Sequence, residues 1–164
     1  MEYSLSEDVM LNDALKNGWL FDNLEKAYLE HGKLIIAYDL DDTVRPFRAR
    51  SCSTAVDIIK HVDAILKPWW IVYTANPNVE KNKNTIKELG LPCDAINDYP
   101  DDHVFDKFRE QQVTYPRTKL YYNLLLDDKT MGLCLGLEAL ELLAARRKNG
   151  DFNLQLGEYK EEKV

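Results

Sequence analysis

The chain has 164 residues, of which 45% are hydrophobic and 30% charged, enough for one domain with a sizeable core and too few for two. This usage excludes intrinsic disorder, and a formal charge of -7 argues against holding nucleic acid by a global basic surface, though a local basic patch could still bind phosphates. The opening MEYSLSEDVM lacks the basic and apolar regions of a signal peptide, and no apolar run nears the ~20 residues of a membrane span, so a cytoplasmic protein with no membrane partner is expected.

In chain order, residues 6–31 read as two helical pieces meeting near Gly18, with Leu20, Leu24 and Ala27 on one face of the second and Gly32 closing it. Residues 34–38 (LIIAY) form a continuous apolar, β-prone run, as do 69–73 (WWIVY) and 121–126 (YYNLLL). Continuous rather than alternating runs suit strands buried on both faces of a parallel sheet. A weaker fourth strand is expected at 93–96. Between the first two strands, Val56, Ile59, Val62 and Leu66 recur at helical spacing over 53–67, with Ser51 or Ser53 as N-cap. Residues 78–89 are polar and end at Gly90, which predicts an exposed helix closed by a glycine. A last helix over 136–148 carries Leu137, Leu140 and Ala144 on one face and stops at Asn149-Gly150. The tail from 151 to 164 is polar, with Glu158, Glu161 and Glu162.

Strand and helix therefore alternate, which predicts right-handed crossovers and a three-layer α/β/α sandwich around a mainly parallel, Rossmann-like sheet. The expected organisation is a helical extension over 1–32, an α/β domain over 33–150 and a tail over 151–164. Cys52, Cys93 and Cys134 are far apart and form no CxxC or Cys/His cluster, so reduced, mostly buried cysteines are expected rather than a zinc site.

In open parallel sheets the ligand crevice lies beyond the carboxyl ends of the strands. The first strand runs into Asp39-Leu40-Asp41-Asp42-Thr43, the second into Thr74-Ala75-Asn76 and the third into Asp127-Asp128. Together with Lys119, these stretches resemble, in order, the four motifs of the haloacid dehalogenase superfamily, and the resemblance spans roughly residues 33–132. Lys119 through Asp128, with Ala95-Ile96-Asn97-Asp98 upstream, is similar to the small capless members of phages and bacteria. Asp42 stands where much of that superfamily has glycine, and residues 1–32 fall outside the likeness.

The resemblance implies a phosphatase. Asp39 would attack phosphorus and carry an aspartyl-phosphate, and Asp41 would protonate the leaving oxygen and then activate water. Acidic groups facing one another imply a cation, and hard oxygen ligands suit Mg²⁺. Asp39, the Asp41 backbone carbonyl and either Asp127 or Asp128 are the expected ligands. Thr74 would hydrogen-bond a phosphoryl oxygen, and Lys119 would pair with the carboxylates and the phosphoryl group.

Thr43, Arg45 and Asn76 are weaker candidates for touching substrate. Arg45, Arg48 and Arg50 lie in a loop that could grip an anion or simply face solvent, and Asn76-Pro77-Asn78 is also a good turn and helix start. About ten residues separate Thr43 from the next helix and about twenty separate Asn97 from Lys119, so essentially no cap domain fits. Uncapped members act on large substrates or borrow a lid, from the N-terminal helices or from another subunit, which leaves a homodimer open. The expected partner is a phosphorylated substrate such as a nucleotide or nucleic-acid end. The alternative is a non-catalytic domain of the same fold that binds a nucleotide or a protein.

Overall fold

Four short apolar segments lie side by side as one parallel sheet in a computed structural model that describes residues 19–47, 52–100, 120–129 and 133–150. In chain order the elements are α1 (Trp19–His31), β1 (Ile35–Tyr38), α2 (Ser53–Leu66), β2 (Trp69–Val72), α3 (Val79–Leu89), β3 (Ala95–Ile96), β4 (Leu124–Leu126) and α4 (Leu133–Asn149). The sheet order is β3-β2-β1-β4. β1 is central, and all four of its residues are buried, as its unbroken apolar run requires. Ile35 registers with Trp69 on β2, and Ile36 registers with Leu124 on β4.

The two sheet faces are covered differently. Ile36, Tyr38, Trp70, Val72, Leu124 and Leu126 share one buried cluster with side chains from all four described helices. Ile35, Ala37 and Ile71 form a second cluster, joined by Trp69, Tyr99 and the 120–122 stretch, to which no described helix contributes. α2 and α4 pack closely against each other on the first face. Gly136 lets α4 approach β4: a Cβ at this position would lie 2.9 Å from the Leu126 side chain and 3.3 Å from Leu124. α1 joins the same layer through Phe21, Leu24 and Tyr28, and Arg146 of α4 donates to Glu25 of α1 at 2.8 Å.

Several expected boundaries move, each for a visible reason. α2 begins after Cys52, which occupies the N-cap position without a side-chain cap bond, instead of after a serine. It ends where Lys67 turns left-handed. α3 has Asn78 as its N-cap, accepting from the Lys81 N–H, and Gly90 as its left-handed close. α4 starts three residues before the expected Gly136. β4 is shorter than the 121–126 run because the Asn123 side chain takes the Ile35 N–H at 2.7 Å, and Tyr121 and Tyr122 turn onto the second cluster. Only Cys52 of the three cysteines is buried; Cys93 and Cys134 are exposed, contrary to expectation. No helix among the described residues is long and apolar enough to cross a membrane.

Candidate functional site

Because every strand runs the same way, the residues that follow β1, β2, β3 and β4 collect at one edge of the sheet. Hydrogen bonds carry the register past the strand ends. Asp39 donates its N–H to the Leu126 carbonyl, Tyr73 to that of Tyr38, and Asn97 to that of Val72, at 2.8–2.9 Å. The loops after the strands thus leave a fixed frame at defined heights.

Asp39, Asp127 and Asp128 meet there. One carboxylate oxygen from each lies within 4.8 Å of the others, and all three residues are half-buried. Asp39 is raised above the usual carboxylate range, first by desolvation and also by the charges of Asp127 and Asp41, against the lowering effect of the Leu40 N–H and of Lys129. Asp128 is also raised, first by desolvation, then by its contact with Asp127 and the charge of Asp42. Its Oδ1 is withdrawn from solvent and has no hydrogen-bond partner among the described residues. An orphaned, desolvated carboxylate oxygen is costly unless something positive meets it. Three hard oxygen donors suit a small divalent cation.

The Asp41 carboxylate is not in that group. Its Oδ1 accepts from both Nε (2.8 Å) and Nη2 (2.5 Å) of Arg45, whose Nη1 donates to Thr85 Oγ1 of α3 at 2.8 Å. Arg45 is thus engaged inside the protein. The loop carrying these residues is tightly wound. Asp42 adopts a left-handed φ of 61°, its N–H donates to the Arg45 carbonyl at 2.7 Å, and its carboxylate accepts the Phe47 N–H at 2.9 Å. Thr43 is buried, and its hydroxyl accepts the Asp128 N–H at 3.0 Å, tying the first loop to the end of β4.

Thr74 is buried at the end of β2. Its hydroxyl oxygen accepts the Asn76 N–H at 3.2 Å. Asn97, left-handed at φ 51°, clamps Thr74 from β3: its Oδ1 takes the Thr74 N–H at 2.8 Å and its Nδ2 donates to the Thr74 carbonyl at 2.7 Å. Asn76 itself serves the turn, its Oδ1 accepting from the Asn78 N–H and its carbonyl from Asn82. Lys119, Arg48 and Arg50 lie outside the described residues.

Lys129 and Thr85 were not singled out by residue pattern, and Asn97 only within the Ala95–Asp98 stretch, with no role assigned. Asn97 had a signal, since it ends the Ala95-Ile96 strand at the edge where ligands gather. Lys129 follows the acidic pair directly and faces both Asp39 and Asp128 electrostatically. Thr85 had none, because a threonine within a polar helix is ordinary. Comparison of the chain with family models, with curated proteins and with solved structures gives no match.

Proposed function

We propose that this chain is an Mg²⁺-dependent phosphohydrolase of the haloacid dehalogenase type, acting on a phosphate monoester such as a nucleotide or nucleic-acid end. The observation that carries the reading is the meeting of Asp39, Asp127 and Asp128 at the carboxyl edge of a parallel sheet, with Asp128 Oδ1 buried and unpartnered among the described residues. Asp39, the Asp41 backbone carbonyl, Asp127 and Asp128 would hold the ion. Bound there, it would offset the carboxylates' mutual repulsion and the charge of the transferring phosphoryl group.

The chain's own groups then divide the work. An Asp39 carboxylate oxygen forms a bond to phosphorus as the ester P–O bond breaks, and Asp41 gives a proton to the departing oxygen. In the second half, Asp41 takes a proton from water as its oxygen bonds to phosphorus. The P–O bond to Asp39 breaks and the carboxylate is restored. Thr74 has both peptide groups held by Asn97 and its hydroxyl oxygen engaged by the Asn76 N–H, which leaves its hydroxyl proton for a phosphoryl oxygen. Lys119 belongs to the same reading.

The three-layer sandwich without a cap belongs to the same reading, and the parallel order β3-β2-β1-β4 is compatible with it. A cytoplasmic location and a homodimer accompany the reading.

The test is a screen of the purified protein, with Mg²⁺ and with EDTA, against phosphorylated metabolites and 5′- or 3′-phosphorylated oligonucleotides. Turnover is expected with Mg²⁺, and none in EDTA or in Asp39→Asn. Undiminished turnover in metal-free protein refutes it. Mg²⁺ binding with no turnover of any ester supports the non-catalytic, nucleotide- or protein-binding alternative.

A further inference from the structure

Among the described residues, the Arg45 side chain ties the first loop to α3. Arg45 reaches Asp41 with two of its nitrogens and Thr85 with the third, and the Asp42 N–H to Arg45 carbonyl bond pins the backbone beneath it. Thr85 is buried, as is Asn82 one turn earlier on the same face of α3. Asn82 in turn holds the Asn76 carbonyl at 2.9 Å. The inner face of α3 therefore fixes both loops, that of Asp41 through Arg45 and that of Thr74 through Asn76.

Stability does not account for this arrangement. The Arg45 and Asp41 side chains retain 18% and 34% of their exposure, and partly exposed ion pairs contribute little to folding. What three bonds to a planar guanidinium do supply is direction. With Oδ1 of Asp41 committed to Arg45, proton exchange with the substrate falls to Oδ2, whose position is set by the same contacts.

We propose that Arg45, anchored on α3 by Thr85, is a positioning residue that aims the Asp41 carboxylate at the leaving group. The proposal rests on the phosphohydrolase reading. It differs from a grip on substrate in what it predicts. A grip is felt in KM. Aiming is felt in kcat, and only where the leaving oxygen needs a proton.

The experiment compares single-turnover phosphorylation rates and KM for an alkyl phosphate, whose alkoxide leaves poorly, and for p-nitrophenyl phosphate, whose phenolate leaves unaided. Arg45→Ala is expected to slow the alkyl ester about 10²-fold, the loss typical of a misplaced proton-transfer group, and p-nitrophenyl phosphate by less than about threefold, with KM unchanged. Thr85→Val should show the same selectivity at a smaller size. Arg45→Ala should add nothing in an Asp41→Asn background, because there is no longer a carboxylate to aim. Equal loss with both esters, a change confined to KM, or additivity with Asp41→Asn overturns the role of Arg45 in an enzyme that is otherwise active. So does lost thermal stability with full turnover per folded molecule. A wild-type protein inert in Mg²⁺ to both esters and to the phosphorylated metabolites and oligonucleotides of the screen overturns the phosphohydrolase reading and this role with it.

Discussion

Replacing Asp128 by asparagine should stabilise the metal-free protein and abolish its response to Mg²⁺. In the native chain the Asp128 carboxylate faces Asp39 and Asp127 with oxygens within 4.8 Å. Coulomb's law at that separation gives about 1 kcal/mol per pair in a water-like dielectric and about 3.5 kcal/mol at an effective value of 20. All three groups are half-exposed, so the lower figure governs, and two pairs come to about 2 kcal/mol. For a chain of this size that is a rise in Tm of about 4–8 °C. Mg²⁺ at about ten times its Kd should add about 1.4 kcal/mol to the native protein by mass action and nothing comparable to Asp128→Asn. The sign with pH follows from the raised positions of Asp39 and Asp128. A carboxyl raised on folding disfavours the folded state once pH exceeds the ordinary carboxyl value near 4, so the metal-free protein should gain relative stability from these two groups as pH falls toward that value. The Mg²⁺ effect should shrink over the same range, because protons compete for the ligands. Differential scanning calorimetry of both proteins in EDTA and in graded Mg²⁺ measures all of this. An Asp128→Asn protein that is less stable in EDTA, or that keeps the full Mg²⁺ gain, refutes the reasoning.

Other expectations concern the frame. Although Cys93 as a residue is exposed, its thiol lies partly withdrawn from solvent and is pushed up from about 9 to about 11, first by that desolvation and then by the neighbouring Asp94, so its iodoacetamide labelling at pH 8 should be about a hundredfold slower in the folded than in the unfolded chain. Equal rates refute that. Tyr38 is likewise raised, chiefly by burial, and both groups contribute stability that is present below their unfolded values and lost as pH rises through the folded ones; alkaline melts should show the decline beginning above about pH 9. Gly136→Ala gains about 1 kcal/mol of helix propensity, but its Cβ meets the buried Leu126 side chain at 2.9 Å, and overpacking of about 1–3 kcal/mol should leave it net destabilised, as a urea midpoint would show. A more stable variant would mean that β4 and α4 separate freely.

The parts of this protein that can be read from residues alone are those set by short-range pattern. The LIIAY and WWIVY runs announce buried strands because no polar residue interrupts them, and Gly90 closes α3 because a left-handed residue is needed there. The acids at 39, 127 and 128 could be placed at one edge from topology alone. What stayed hidden depends on partners far apart in the chain. Nothing local says that Arg45 turns inward to Asp41 and Thr85 instead of outward to solvent, since Thr85 lies 40 positions away. The clamp of Asn97 on Thr74 spans 23 positions and competes with the equally ordinary role of asparagine in turns. The start of β4 falls three residues later than the apolar run suggests for a similar reason: the Asn123 side chain bonds β1 across 88 positions, and no propensity scale anticipates that.

The left-handed turn at Asp42 sets the limits within which this loop can drift over evolutionary time. A residue with a Cβ costs about 1–2 kcal/mol in that conformation, and Asp42 offsets the cost by taking the Phe47 N–H with its own carboxylate. Glycine would remove the strain together with the bond, and asparagine would keep a version of both. Valine, isoleucine or threonine would clash at Cβ and offer nothing in return. Variation at this site should therefore be confined to glycine, asparagine and aspartate. Aspartate among these sets an additional negative charge beside Asp128, so drift to glycine or asparagine would lower the charge density of the pocket without altering its shape.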